Sequence, residues 1–297
     1  MTMDSPLIDS HVHFWDVNRR HYAWLEDFQA INSVHSMTEY DDARGGNEVA
    51  GIVFVECAGA SDDVTSRDEV KWVQTLASKE DRVTGIVAFA PLEWGEKVAA
   101  HLDWLKEQPL VRGVRRLLQH EADPKFCLTP EFIEGTQMLG SRDLSLDICI
   151  FHFQMPAVIR LVETCPDVQF VLDHLGKPSI REKMMDPWAE HIQVLSSFPN
   201  VVCKISGAVT EADPETWTES DIRPYLEVSI DAFGDNRILF GSDWPVVNLA
   251  STYTEWIRIV RRTFAGFSGL NADRLFAMNA DRIYRLGIRA PENQYES

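Results

Sequence analysis

LIDSHVHFWD, residues 7–16, decides how the rest of this chain is read. The stretch begins apolar and then sets Asp9, His11 and His13 at alternate positions. A strand's period of two turns all three toward one face. Histidines on a strand are ordinarily core residues satisfied by hydrogen bonds. What the later strands carry at the same end changes that reading.

Seven further apolar, β-rich runs follow: GIVFVEC (51–57), RVTGIVAFA (82–90), VRGVRRLL (111–118), LSLDICIF (144–151), VQFVLDHL (168–175), VVCKIS (201–206) and RILFGSD (237–243). Helical spacing fills the gaps between them. SRDEVKWVQTLASKE pairs Ser66 with Glu69 in the form of a capping box, and TPEFIEGTQMLG offers Thr129 as cap with Pro130 in the first turn. GEKVAAHLDWLKE, QMPAVIRLVETC, DPWAEHIQVLSSF, ESDIRPYLEVSIDAF and STYTEWIRIVRRTF also carry apolar residues at helical spacing. Strand and helix in repeated alternation predict an α/β fold, a somewhat distorted (β/α)8 TIM barrel. No linker divides the chain, so residues 1–297 are read as one domain, with residues 15–47 covering the mouth.

Composition narrows the partners. Asp plus Glu number 46 against 28 Lys plus Arg, a formal charge of -18, which argues against nucleic acid, whose phosphates call for positive charge. There is no basic leader and no apolar run of membrane length, so no membrane contact and a cytoplasmic protein are expected. Cys57, Cys127, Cys149, Cys165 and Cys203 are scattered, without a CxxC pair, and read as buried thiols of a reducing compartment. Exposed helix faces leave room for a homodimer, though no repeat specifies one.

In a barrel of this kind the active site belongs at the C-terminal ends of the strands. His11 and His13 end the first run, Glu56 the second, His152 follows the fifth, His174 ends the sixth and Asp243 the eighth. The fourth carries Arg112, Arg115 and Arg116, with Gln119 beyond, and the seventh carries Lys204. An aspartate can take a proton from water, and neutral imidazoles can bind a divalent ion or donate hydrogen bonds. Asp243 would therefore aim water at an electrophilic carbonyl, with His11, His13, His174 and an arginine opposing the developing oxyanion. Lys204 reads equally as a structural ion pair, and His152 as a residue capping its loop. GSDWP lacks the G-x-S-x-G elbow of a serine nucleophile.

The order IDSHVHFWD, RGVRRLLQ, LDHLGKP, VVCKISG and GSDWPV, closing in NADRIYRLG, resembles the amidohydrolase superfamily. More narrowly it resembles the amidohydrolase-2 branch that holds sugar lactonases of the L-fuconolactonase kind and 2-pyrone-4,6-dicarboxylate lactonase. The resemblance implies attack of water on a cyclic ester. Its catalytic residues would be Asp243, His174, His11, His13 and Arg115. The arginine-rich fourth strand departs from the binuclear members of the superfamily, which carry a bridging lysine or glutamate there. At most one divalent ion is expected, zinc if any, on His11, His13 and Asp243, with His152 or His174 able to join; the alternative is none.

A small-molecule sugar lactone needs hydrogen bonds and an aromatic wall. Trp15, Tyr22, Trp24 and Trp244 are the expected wall, and Glu56, Gln119, His152, Lys204, Arg112 and Arg116 the expected polar contacts. A dicarboxylate would instead favour several arginines in the pocket. A metal-dependent decarboxylase and a barrel retained only for binding are the competing readings.

Overall fold

The computed structural model describes residues 7–288. Eight parallel strands lie side by side in sequence order. They are β1 (Leu7–Val12), β2 (Val49–Val55), β3 (Val83–Phe89), β4 (Val111–Arg115), β5 (Ser145–Ile148), β6 (Phe170–Leu172), β7 (Val201–Ile205) and β8 (Ile238–Phe240). The expected (β/α)8 barrel is the observed one. Seven of the strands are shorter than their apolar runs, whereas β2 matches its run in length but begins two residues earlier, at Val49.

The seam between β1 and β8 is closed mainly by single hydrogen bonds. Asp243 N donates to His11 O at 2.9 Å, His13 N to Trp244 O at 2.8 Å, and the Ser10 hydroxyl to Phe240 O at 2.6 Å. The pairing of β1 with β2 slips between Asp9 and Val12, so strict alternation fails there. Asp9, expected to share a face with His11, instead meets the outer helical layer. It accepts from the Tyr40 hydroxyl at 3.0 Å and from Ser242 N at 2.8 Å.

Helices follow the strands in turn: α1 (Met37–Arg44), α2 (Asp63–Ala77), α3 (Ala99–Glu107), α4 (Pro130–Gly140), α5 (Met155–Thr164), α6 (Trp188–Ser196), α7 (Glu219–Phe233) and α8 (Tyr253–Phe264). Apart from α1, which buries only Tyr40, each buries an apolar stripe. In α8 that stripe includes Trp256, Ile257, Ile259, Val260 and Phe264, each stabilising by roughly 1.5–3 kcal/mol when fully buried. Two caps differ from expectation. α2 starts earlier, capped by Asp62 with Thr65, because Ser66 turns inward to bond Phe89 O at 2.6 Å. Thr129 stands at the cap position of α4, but its hydroxyl donates backward to Phe126 O.

A further helix, α9 (Asn279–Tyr284), closes the N-terminal end of the barrel. Ala280, Ile283 and Tyr284 pack with the inward residues Ile8, Val53, Val87, Val171, Val202 and Leu239. Gly51 makes room for this plug, since a Cβ there would lie 2.3 Å from Ile288 Cδ1. The interior is thus apolar at its floor and polar above. All five cysteines are free and buried. Among the described residues, no helix is long and apolar enough to cross a membrane.

Candidate active site

Above the apolar floor lies a layer of buried charge. Lys204 on β7 places Nζ 2.6 Å from Asp147 Oδ2 and 3.1 Å from Asp173 Oδ1. Arg115 donates through Nε to Glu56 Oε1 at 2.8 Å and through Nη1 to Asp173 Oδ2 at 3.4 Å. The Tyr284 hydroxyl rises from α9 to reach the same Asp147 oxygen at 2.6 Å. Burial pushes the Asp147 carboxyl up against the pull of Lys204. Burial also opposes ionisation of Asp173, but Lys204, His174 and Arg115 outweigh it and hold that group low. Two carboxylates therefore flank one ammonium in a dry interior.

Three imidazoles stand on this layer. Nε2 of His13 lies 3.4 Å from Asp243 Oδ1, Nε2 of His11 3.7 Å and Nε2 of His174 4.0 Å. Contacts on the other nitrogens orient the rings. His13 Nδ1 is 2.8 Å from Val55 O, an acceptor only, so Nδ1 carries hydrogen and Nε2 is left to face Asp243. His11 Nδ1 lies 3.3 Å from Asp173 Oδ1, while the Arg115 guanidinium, a donor only, faces its Nε2 at 3.4 Å. Both contacts favour hydrogen on Nδ1. Lys204 Nζ is also 3.2 Å from that Nδ1, but its hydrogens have Asp147 and Asp173 to point at. His174 Nδ1 meets the Ser206 hydroxyl at 2.9 Å.

Burial presses His11 and His174 well toward the neutral ring, with Lys204 adding to the effect on His11. Burial works against Asp243 as an anion, yet His174, His13 and the Lys177 ammonium hold its carboxyl below the usual range. The backbone makes a further concession here, since His174 at φ 55° and Asp243 at φ 59° are both left-handed. Such a residue costs on the order of 1–3 kcal/mol and persists where surrounding bonds fix it.

An imidazole nitrogen that faces a carboxylate oxygen is favourable only with a proton or a cation between the two. His11, His174 and Asp243 offer ligand atoms all within 4.8 Å of one another, and nitrogen with carboxylate oxygen is a zinc-type donor set. The residues thus fit one divalent ion. The expected set named His13 with His11 and Asp243; in the structure His174 completes the compact group and His13 adjoins it.

Other expected site residues lie elsewhere. Arg112, near the start of β4, donates to Pro109 O at the opposite end of the barrel. Arg116 is held by Glu93 and Glu121 over the Phe126 ring. Lys204 is fully buried, beneath His11, and so lies out of reach of a substrate. Glu56 uses one oxygen on Arg115 and the other on Ala58 N. Arg115 does join the cluster, with its donors engaged from below. Gln119 is bound to Cys149 and His120, and half-buried His152 lies against Phe153 outside the imidazole group.

Of the residues expected as an aromatic wall, Trp15, Tyr22 and Trp24 take part in holding the first long loop. Trp15 is buried and donates to Ser33 O, Trp24 donates to Cys57 O, and Tyr22 packs on Trp15. Trp244 is enclosed by Phe14, His35 and Tyr40. Residues absent from the expectation are Asp147, Ser206, Lys177 and Glu211. For Asp147 a signal existed, an acid inside an apolar strand run with inward parity.

The sequence profile of the amidohydrolase family Amidohydro_2 matches residues 8–286. An L-fucono-1,5-lactonase of Burkholderia multivorans is 33% identical over 94% of this chain and 96% of its own. An L-rhamnono-gamma-lactonase of Scheffersomyces stipitis is 22% identical, over 94% of this chain and 98% of its own. Among solved structures, an amidohydrolase from Burkholderia multivorans with bound zinc superposes at TM-score 0.82 and 31% identity, covering 95% of this chain and 99% of that one.

Proposed function

This chain belongs to the amidohydrolase family, and on that premise we propose that it hydrolyses a sugar 1,4- or 1,5-lactone to the aldonic acid. The observation that carries the reading is the convergence of the His11, His13 and His174 Nε2 atoms on one oxygen of Asp243. Similarity to a lactonase over nearly its whole length supports the substrate class.

A divalent ion on His11, His174 and Asp243, with His13 beside it, would supply Lewis-acid polarisation of the ester carbonyl. The chain's own groups supply the rest. Asp243, held anionic, accepts a proton from water as the oxygen attacks the lactone carbonyl carbon. The imidazoles face the negative charge that develops on the carbonyl oxygen. Collapse of the tetrahedral species breaks the ring C–O bond. The departing ring oxygen takes the proton back from Asp243, leaving the open-chain hydroxy acid. Arg115 acts from beneath, holding Asp173 and thereby His11.

A pyrone dicarboxylate is a poorer fit, because Arg112 and Arg116 are remote and Arg115 is already occupied by Glu56 and Asp173. The test is turnover on a panel of 1,4- and 1,5-sugar lactones, with a pyrone dicarboxylate and a hydroxybenzoate in parallel arms. Ring opening of sugar lactones is expected. Hydrolysis of none of them, or carbon dioxide release from the hydroxybenzoate, would overturn the reading.

A further inference from the structure

The loops after β5, β6 and β7 meet beside the imidazole group and bring three side chains together. Phe151 follows β5, Lys177 lies three residues beyond His174, and Glu211 ends a 3-10 turn (Val209–Glu211) after β7. Lys177 Nζ is 3.1 Å from Glu211 Oε1 and stands 5.5 Å over the Phe151 ring. The pair is neither a surface bridge nor a sealed one, with 17% of the Lys177 side chain and 16% of the Glu211 side chain exposed. Phe151 is half-buried and stacks on Phe153, which is 56% exposed, so the aromatic surface continues outward. Lys177 is fixed from below, in a left-handed backbone at φ 48° with its carbonyl accepting from His152 N.

We propose that Lys177, Glu211 and the Phe151 face form the subsite that binds the hydroxylated part of the lactone. The inference rests on the lactonase reading and adds the residues that would select a polyhydroxylated ring. A vicinal diol matches an ammonium beside a carboxylate: one hydroxyl donates to Glu211, and the oxygen of its neighbour accepts from Lys177. The contact between the two side chains does not exhaust them, because an ammonium carries three hydrogens and a carboxylate about four acceptor positions. Charge-assisted hydrogen bonds of this kind are stronger than neutral ones. The C–H face of a sugar ring is apolar and can lie on Phe151, as ligand pockets combine aromatic walls with a few convergent polar groups. The subsite is tied directly to the reacting groups, since Lys177 N donates to His174 O at 2.8 Å.

Binding without turnover separates this inference from the lactonase reading. The probes are a 1,5-aldonolactam, in which nitrogen replaces the ring oxygen, and unsubstituted δ-valerolactam, titrated calorimetrically into the purified chain. The unaltered protein should prefer the aldonolactam by at least about tenfold. Lys177→Met and Glu211→Gln should each reduce that preference by about tenfold. Glu211→Gln keeps shape and size, and thermal unfolding confirms that each variant is folded. Equal binding of both lactams by the unaltered protein, or a full preference retained in both variants, would overturn the subsite. Failure of the lactonase reading shows up elsewhere, as absence of sugar-lactone turnover by a protein that still prefers the aldonolactam.

Discussion

The Lys204 ammonium lies 2.6 Å from Oδ2 of Asp147, and neither side chain is exposed to solvent. Asp173 and the Tyr284 hydroxyl complete the arrangement. Removing one partner of a buried pair leaves the other charge uncompensated, at a cost of about 3–5 kcal/mol. Lys204→Met should lower unfolding free energy by that much in urea titrations. Tyr284→Phe, which removes only a hydroxyl, should lose about 1–2 kcal/mol. A loss below about 1 kcal/mol in Lys204→Met would show that the charged layer is not what its geometry implies.

Asp243→Asn keeps the side chain's shape and removes its basicity. Turnover of the best lactone should fall by about 10²–10⁴-fold, while the thermal midpoint stays close to that of the unaltered protein. Unchanged turnover would remove Asp243 from the role of base.

The donor set predicts that the purified protein retains one divalent ion per chain, measured by elemental analysis. His174→Asn should release it, and chelation should lower lactone turnover until zinc is restored. Full turnover after verified removal of the metal would leave the reaction to the polar groups alone.

Gly207 lies against His174. A Cβ there would stand 2.4 Å from His174 Nδ1, and its φ of 60° is itself unfavourable to alanine. Gly207→Ala should therefore displace the ring and reduce turnover by roughly 10–100-fold, the effect expected when a positioned catalytic group shifts by about an ångström. Gly234 is the control, since it has a similar φ of 62° but nothing within 4 Å of its Cβ position. Gly234→Ala should cost stability without altering turnover.

Glu69 is buried on α2, and desolvation, reinforced by Glu56, pushes its carboxyl up to about 8 from an ordinary 4.5. A raised carboxyl is protonated more readily in the folded chain, so its stabilising contribution is complete below pH 4.5 and is lost as pH rises through 8. Glu69→Gln cannot ionise. Relative to the unaltered protein it should gain on the order of 4 kcal/mol between about pH 5 and pH 9. Parallel stability curves for the two proteins would contradict the assignment.

The eight strands were legible because each is an apolar run long enough to stand out between helical patterns. His11, His174 and Asp243 were legible as polar residues at strand ends, where water exclusion demands a reason for them. Alternation misplaces Asp9 because it assumes an unbroken ladder, and the register slip after it leaves no mark in composition. An indole's apolar body suits either a ligand or a loop, so only the fold shows where Trp15, Trp24 and Trp244 pack. Lys177 and Glu211 are not legible because their pairing joins two loops that are remote in sequence. Asp147 and Lys204 could have been matched by strand parity, but not their shared contact with Tyr284.

Tyr284 is translated after every strand of the barrel, and it is the residue that reaches up through the floor to Asp147. During vectorial synthesis the strands can therefore pair around an interior still open to water from below. Asp147, Asp173 and Lys204 keep their hydration while the sheet forms, and the penalty of drying them is deferred. Once α9 is docked, Tyr284 closes the interior beneath Asp147. The support beneath His11 is therefore complete only when the last helix is in place, so the ability to react arrives with the stopper rather than with the staves.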